Sequence, residues 1–343
     1  MVLTRSASRY ARCIIRWFPN EVLGLVMQCL SPADLATLCQ TSQLLRNIGT
    51  PLLYRSVTLT TSSRLELFKK SIDESPQLEL ASRVRMFVLK TVDVDGSPAP
   101  LVKEISTLLL RMSHLHSLRL VSKAVDFTIL LEHAAFPHLT NFEFTVIRPP
   151  MGALRTFLNR HRTIRTLRID TRTRAAFPGR IRLPRLTDLT AFLSAVPAFD
   201  LRKNHLQYLT LLARRFDVRA DVMPDKLANI HSAASVIVRS FGCRQHLEWS
   251  LLAAVAWRFQ HVKSLAFVRS TTLSEAEVGN VENILKALHC LRTLDLHRAG
   301  ESSPEDREVV LKWAAACKAV SVVKFHGQLW KYKKAESQWV VLG

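Results

Sequence analysis

The chain has 343 residues, 48 % of them hydrophobic, and a formal net charge of +20. That apolar share can build a substantial core and excludes wholesale disorder. The longest uninterrupted apolar run, residues 251–257, is far short of the ~20 residues that span a bilayer; no secretory signal is visible, so the chain reads as soluble and intracellular, in the cytoplasm and/or the nucleus.

Residues 1–17 hold four arginines and no acid. That is the composition of a mitochondrial presequence or, the preferred reading, of a basic flexible lead-in. Residues 18–45, FPNEVLGLVMQCLSPADLATLCQTSQLL, are the most patterned stretch of the chain. Pro19 suits a first helical turn, and Val22, Leu23, Val26, Met27 and Leu30 form an apolar stripe behind it. Ser31 is placed as the N-cap of a second helix, with Pro32 at the first position and Asp34 in the capping box; Leu35, Leu38 and Cys39 make its stripe. A third helix carries Leu44, Leu45 and Ile48 and is expected to end at Pro51. Three helices in ~40 residues are marginal alone, so their surplus of apolar positions calls for a partner.

Beyond this unit one phrase recurs, an apolar residue followed at +3 and +5 by two more. It starts at Val84, Leu115, Leu139, Ile164, Leu186, Leu206, Val262, Leu291 and Val320, with spacings of 31, 24, 25, 22, 20, 56, 29 and 29. The long gap holds a degenerate copy at residues 234–241. Such alternation is a short strand buried on one face. Between the phrases lie stretches of helical period. VKEISTLLLRM puts Val102, Ile105, Leu109 and Met112 on one stripe, and SEAEVGNVENILKAL does the same with Val278, Val281, Leu285 and Leu288. Capping boxes are read at Ser274 with Glu277 and at Ser303 with Asp306, behind Pro304.

A period of 20–30 residues around L-x-x-L-x-L is the leucine-rich-repeat signature. It predicts an α/β solenoid over residues 61–328, with about nine or ten strand–helix units between 84 and 326, parallel strands inside and helices outside. The slot that often carries Asn after each strand holds Lys123, Ile147, Arg172, Ser194, Arg214, Ser270, Ala299 and Gln328 instead. The array is therefore expected to be irregular, and an ordinary α/β domain of short buried strands is the alternative. Residues 329–343 read as a hairpin, 330–332 pairing with 339–341, that caps the array.

The charge is uneven. Residues 151–260 carry nineteen Lys and Arg against seven Asp and Glu, and ten arginines fall within 155–185. So one-sided a cluster points to an anionic partner. With the phrase buried at its first, +3 and +5 positions, the open face displays Arg119, Glu143, Arg168 and Asp170, with Arg172 just beyond the strand. These are the candidate substrate contacts. Nucleic acid is the less favoured anion: aromatic residues are 8 % of the chain, and residues 155–185 hold Phe157 and Phe177 but no Tyr or Trp to stack bases.

No catalytic motif is found. The ten glycines build neither a P-loop nor a dinucleotide fingerprint, and neither H-E-x-x-H nor G-x-S-x-G is present. His114 and His116 lack a nearby third donor, so no metal and no cofactor is expected. The S-x-x-K spacing at residues 321–324 lies in an expected strand whose alternation separates the two side chains. Six cysteines without a C-x-x-C pair read as buried free thiols of a reducing compartment.

Residues 18–55 resemble the F-box. The elements are Phe18-Pro19-Asn20-Glu21-Val22-Leu23, then Leu30-Ser31-Pro32-Ala33-Asp34-Leu35, then Arg46 and Pro51-Leu52-Leu53-Tyr54-Arg55. Phe18 stands where leucine is commoner, and Gln40-Thr41 is more polar than the usual pair. With the repeats, the chain resembles an F-box/leucine-rich-repeat protein, its F-box at 18–60. The resemblance implies a non-enzymatic substrate receptor of an SCF-type cullin-RING ubiquitin ligase. It would dock on the Skp adaptor, and through it a cullin, by Phe18, Pro19, Leu23, Val26, Pro32, Leu35 and Leu38. The repeats would hold a substrate protein, acidic or phosphorylated if the arginines are its contacts. The alternative is a basic repeat scaffold that binds nucleic acid or another anionic partner with no ubiquitin-ligase role.

Overall fold

The computed structural model describes residues 18–75, 79–91, 99–122, 125–147, 149–171, 177–214, 223–241, 245–268, 275–297 and 305–342. The lead-in of residues 1–17, Arg172, and the capping serines Ser274 and Ser303 lie outside the described residues.

Three helices come first, α1 (Asn20–Gln28), α2 (Pro32–Thr41) and α3 (Gln43–Leu53). Ser31 caps α2 as expected: its Oγ accepts the Asp34 N–H at 3.2 Å and donates to the Asp34 carboxylate at 2.7 Å, satisfying a donor the helix leaves orphaned. Ser42 does the same for α3, accepting the Leu45 N–H at 3.1 Å. The core of the unit is small, built on Met27, Leu35, Cys39 and Leu45. Gly49 lets α3 close onto it, because a Cβ there would lie 2.6 Å from Met27 Cε and would also collide with Cys39 Sγ. Pro51 does not end α3, which continues to Leu53. A proline in the final turn forfeits only its own bond back to the fourth residue before it.

From residue 56 the chain alternates strands and crossovers. The strands are β1 (Ser56–Leu59), β2 (Met86–Thr91), β3 (Ser117–Ser122), β4 (Asn141–Val146), β5 (Thr166–Thr171) and β6 (Asp188–Phe192). They continue as β7 (Leu201–Arg214), β8 (Ile230–Phe241), β9 (Ser264–Val268), β10 (Thr293–His297), β11 (Val322–Phe325), β12 (Gln328–Lys333) and β13 (Gln338–Leu342). All pair in one sheet in strict chain order. β1 to β11 are parallel to their neighbours, and β12 and β13 close the end antiparallel. The hairpin has the expected register, Trp330 opposite Val341 and Tyr332 opposite Trp339.

The helices of the crossovers are α4 (Ser62–Glu74), α5 (Leu80–Arg83), α6 (Ala99–Leu110), α7 (Thr128–His133), α8 (Met151–Arg160), α9 (Met223–Leu227), α10 (Gln245–Arg258), α11 (Glu275–Leu285) and α12 (Asp306–Ala316). Strand residues at the +3 and +5 positions face a continuous core. Leu118, Leu120, Leu167, Ile169, Leu294 and Leu296 are all buried, as the alternation requires. Aromatic rings fill the layer behind them, Phe142 and Phe157 with centroids 4.8 Å apart.

The structure departs from the expected pattern in several places. β1 precedes the first phrase, and its Val57 and Leu59 already belong to the large core rather than to the helical unit. Between β6 and β7 the described crossover is a 3-10 turn, Val196–Ala198, not an α-helix. Eight residues are too few for a helical return, which takes a dozen or more. α12 begins at Asp306, with Glu305 at its N-cap. The Asp306 side chain instead meets His326 Nδ1 at 2.8 Å, both side chains nearly inaccessible. The cysteines are not uniformly buried: Cys39 and Cys317 are, Cys29 and Cys290 are exposed.

The missing asparagines are replaced by other groups that tie backbone between crossovers. Thr163 Oγ1 donates to the Leu139 carbonyl at 2.7 Å and Thr140 Oγ1 to that of His116 at 3.1 Å. Arg160 reaches back to the carbonyls of Ala134 at 2.8 Å and Glu132 at 2.7 Å. Arg258 reaches back to that of Ile230. Buried His161 accepts the Phe136 N–H on Nε2 at 2.8 Å, which leaves Nδ1 to donate to the Phe157 carbonyl at 2.7 Å.

Candidate functional site

Helix α1 is apolar on two sides, and the fold uses one. Met27 is buried in the unit's core, flanked by half-buried Leu23 and Leu30. Phe18, Val22, Leu25 and Val26 stay 48 %, 37 %, 63 % and 57 % exposed. With exposed Cys29 they follow the spacing i, i+4, i+7, i+8, i+11, a second stripe of helical period that begins just before α1 and that no described residue covers. Leu25 was missed because it falls off the first stripe; the signal was a helix apolar on nearly every side. Of the other expected adaptor contacts, Pro19 and Pro32 are exposed, Leu38 is half-buried, and Leu35 is 5 % exposed. Leu35 is thus a core residue of the unit in this conformation, not part of the displayed face.

The open face of the sheet brings Arg119, Glu143 and Arg168 into one register row across β3, β4 and β5. The arginines are not free there. Glu143 Oε2 lies 3.0 Å from Arg119 Nε and Oε1 lies 3.6 Å from Arg168 Nε. Asp170 is 3.9 Å from Arg214 Nη2, and the Arg214 guanidinium also covers the Phe192 ring at 3.8 Å. This part of the face is close to charge-balanced. Arg155 is likewise engaged, donating to the Pro178 carbonyl.

The unbalanced charge lies elsewhere, along the edge where the parallel strands begin. A cavity of about 520 Å³ opens there, lined by Arg162, Arg180, Arg182, Arg202 and Lys203, with Asp200 its one acid. A second cavity of about 670 Å³ lies further along the same edge and is lined by Arg55, Arg83, Arg85 and His116 beside Pro51 and Leu52 of α3. Near it His138 stacks with His114 and His116, at 5.6 Å and 5.8 Å between centroids. Among the described residues no group of His, Cys, Asp and Glu is arranged to hold a metal ion, and no helix is long and apolar enough to cross a membrane.

The F-box domain family matches residues 15–54, the span of α1 to α3 and the residues just before them. F-box domains serve as adaptors in SCF ubiquitin ligases, and they typically bind the Skp adaptor subunit. No curated protein matches the chain.

Proposed function

We propose that this F-box-containing chain is the substrate-recognition subunit of an SCF-type cullin-RING ubiquitin ligase, acting in the cytoplasm, the nucleus or both. Its F-box docks on the Skp adaptor through the outer stripe of α1, and the sheet domain, read as an irregular leucine-rich-repeat solenoid, holds a substrate protein. The observation that carries this reading is the stripe itself, three large apolar side chains exposed on a helix of the F-box with exposed Phe18 just before it. Monomeric surfaces rarely keep such a patch without a partner. The repeat reading is supported by chain-ordered parallel pairing and by the recurring phrase. On this reading the chain performs no chemistry; it contributes proximity between a substrate and an enzyme brought by the rest of the assembly.

The test is co-expression of the full chain with a recombinant Skp adaptor. Leu25→Glu with Val26→Glu places two charges on the exposed stripe and leaves the unit's core untouched. Anchor residues cost about 2 kcal/mol or more on removal, so co-purification should be lost while the melting profile is unchanged. Retained co-purification would remove the docking assignment. Leu35→Ala is a poor probe, since it empties the core of the unit.

A further inference from the structure

We infer that the cavity at the strand-start edge of β5 to β7 is an anion site that receives a phosphorylated segment of the recruited protein. The inference rests on the substrate-receptor reading and gives it a location and a chemistry. Five cationic side chains line the cavity against one carboxylate. Asp200 is 3.7 Å from Arg182 Nε and, among the described residues, engages that arginine alone. Among the described residues, no ion pair or hydrogen bond engages the cationic groups of Arg162, Arg180, Arg202 or Lys203. Four positive charges at one cavity repel each other, and a solvated face does not need to gather them. A dianionic phosphate answers three or more of their donors at once, and guanidinium groups suit its oxygens in bidentate pairs.

The backbone beneath these side chains is fixed. Asn159 at the end of α8 donates to the Arg180 carbonyl at 3.2 Å and accepts the Arg182 N–H at 2.9 Å. Ile181 pairs with Phe199 in an isolated parallel bridge. Asn204, 6 % exposed, donates to the carbonyls of Leu183 at 2.9 Å and Leu186 at 3.1 Å. The backbone that carries Arg180, Arg182 and Arg202 is therefore tied into one ledge that does not have to form around a ligand. Preorganisation of this kind lowers the ordering cost of binding.

The lining also chooses among anions. It has no aromatic residue, with Leu183 and Pro184 its apolar members, so it gives bases nothing to stack on. The cationic side chains are exposed at the rim, Arg182 by 72 %. An extended protein segment can lie across such a rim and lower one phosphate into it.

The test uses the full chain co-purified with the Skp adaptor. The probes are a fluorescent peptide of alternating glutamate and phosphoserine, its serine counterpart, and a 20-nucleotide RNA of mixed sequence. At 0.15 M salt the phosphopeptide should bind at least about tenfold tighter than the serine peptide. Arg180→Glu with Arg202→Glu should abolish that preference and leave adaptor co-purification intact, while Arg180→Lys with Arg202→Lys should keep part of it. Lys312→Glu with Lys318→Glu, remote from the cavity, should change nothing. Equal binding of both peptides, unchanged binding by the Arg→Glu pair, or RNA bound in preference to the phosphopeptide would each overturn the inference. Loss of adaptor binding by the wild-type chain would instead strike the receptor reading.

Discussion

Replacing Gly49 by alanine sets two physical effects of known size against each other. Gly49 lies inside α3, where alanine is favoured over glycine by ~1 kcal/mol. Packing opposes the change: the added methyl would sit 2.6 Å from Met27 Cε and 3.3 Å from Leu35 Cδ1, with Cys39 Sγ closer still. Met27 can swing, but it is 2 % exposed and has little room to move into. Cys39 has one side-chain torsion and is buried too. Overpacking of this kind costs ~1–3 kcal/mol, so the net effect is a loss of about 1 kcal/mol. Gly24 in α1 is the matched control. Its nearest non-local heavy atom would be Ile48 Cγ2 at 3.9 Å, an ordinary contact, and alanine there should stabilise by up to ~1 kcal/mol. Native-state hydrogen exchange of the α1 to α3 amides in the full chain reads both changes. Exchange should quicken about fivefold in Gly49→Ala and slow by a similar factor in Gly24→Ala. Adding Cys39→Ala to Gly49→Ala should recover part of the loss, because it removes the closest obstruction. If Gly49→Ala slows exchange as Gly24→Ala does, the close approach of α3 to α1 and α2 is wrong.

Other outcomes are equally definite. Leu167→Ala should lower stability by ~2–5 kcal/mol and Leu167→Asp should unfold the neighbouring crossovers, read by thermal melting, since the site is 1 % exposed. Burial, with a smaller contribution from Arg160, pushes the His161 imidazole below its ordinary value of 6.5. The unfolded chain then takes up the proton first, so stability is kept above pH 6.5 and lost as pH falls from there toward the depressed value. Denaturant melts at pH 7.5 and about 5.5 should diverge more for wild type than for His161→Gln. Asp306→Ala should cost ~1–3 kcal/mol by removing the carboxylate that holds His326. Its signature is faster exchange in the β12–β13 hairpin, which starts two residues beyond that histidine.

The sequence by itself determined the local elements, because each follows from periodicity or from a cap acting within a few residues. The Ser31–Asp34 box, the buried faces of the phrases at Leu118, Leu167 and Leu294, and the terminal hairpin register were all legible for that reason. Extending a spacing to its neighbours failed where length ruled: the 20-residue period before Leu206 leaves no room for a helical crossover. What only the tertiary structure decided is which side chains are already engaged. Arg119 and Arg168 are two strands apart, and nothing local to either indicates that Glu143 lies between them. Arg160 is spent on carbonyls 26 and 28 residues upstream. Arg162 and Arg202 are 40 positions apart in the chain, yet both line one cavity because parallel crossovers return each strand start to the same edge. Charge density along a sequence is a sum, and a binding site is what remains after the fold has paired its members.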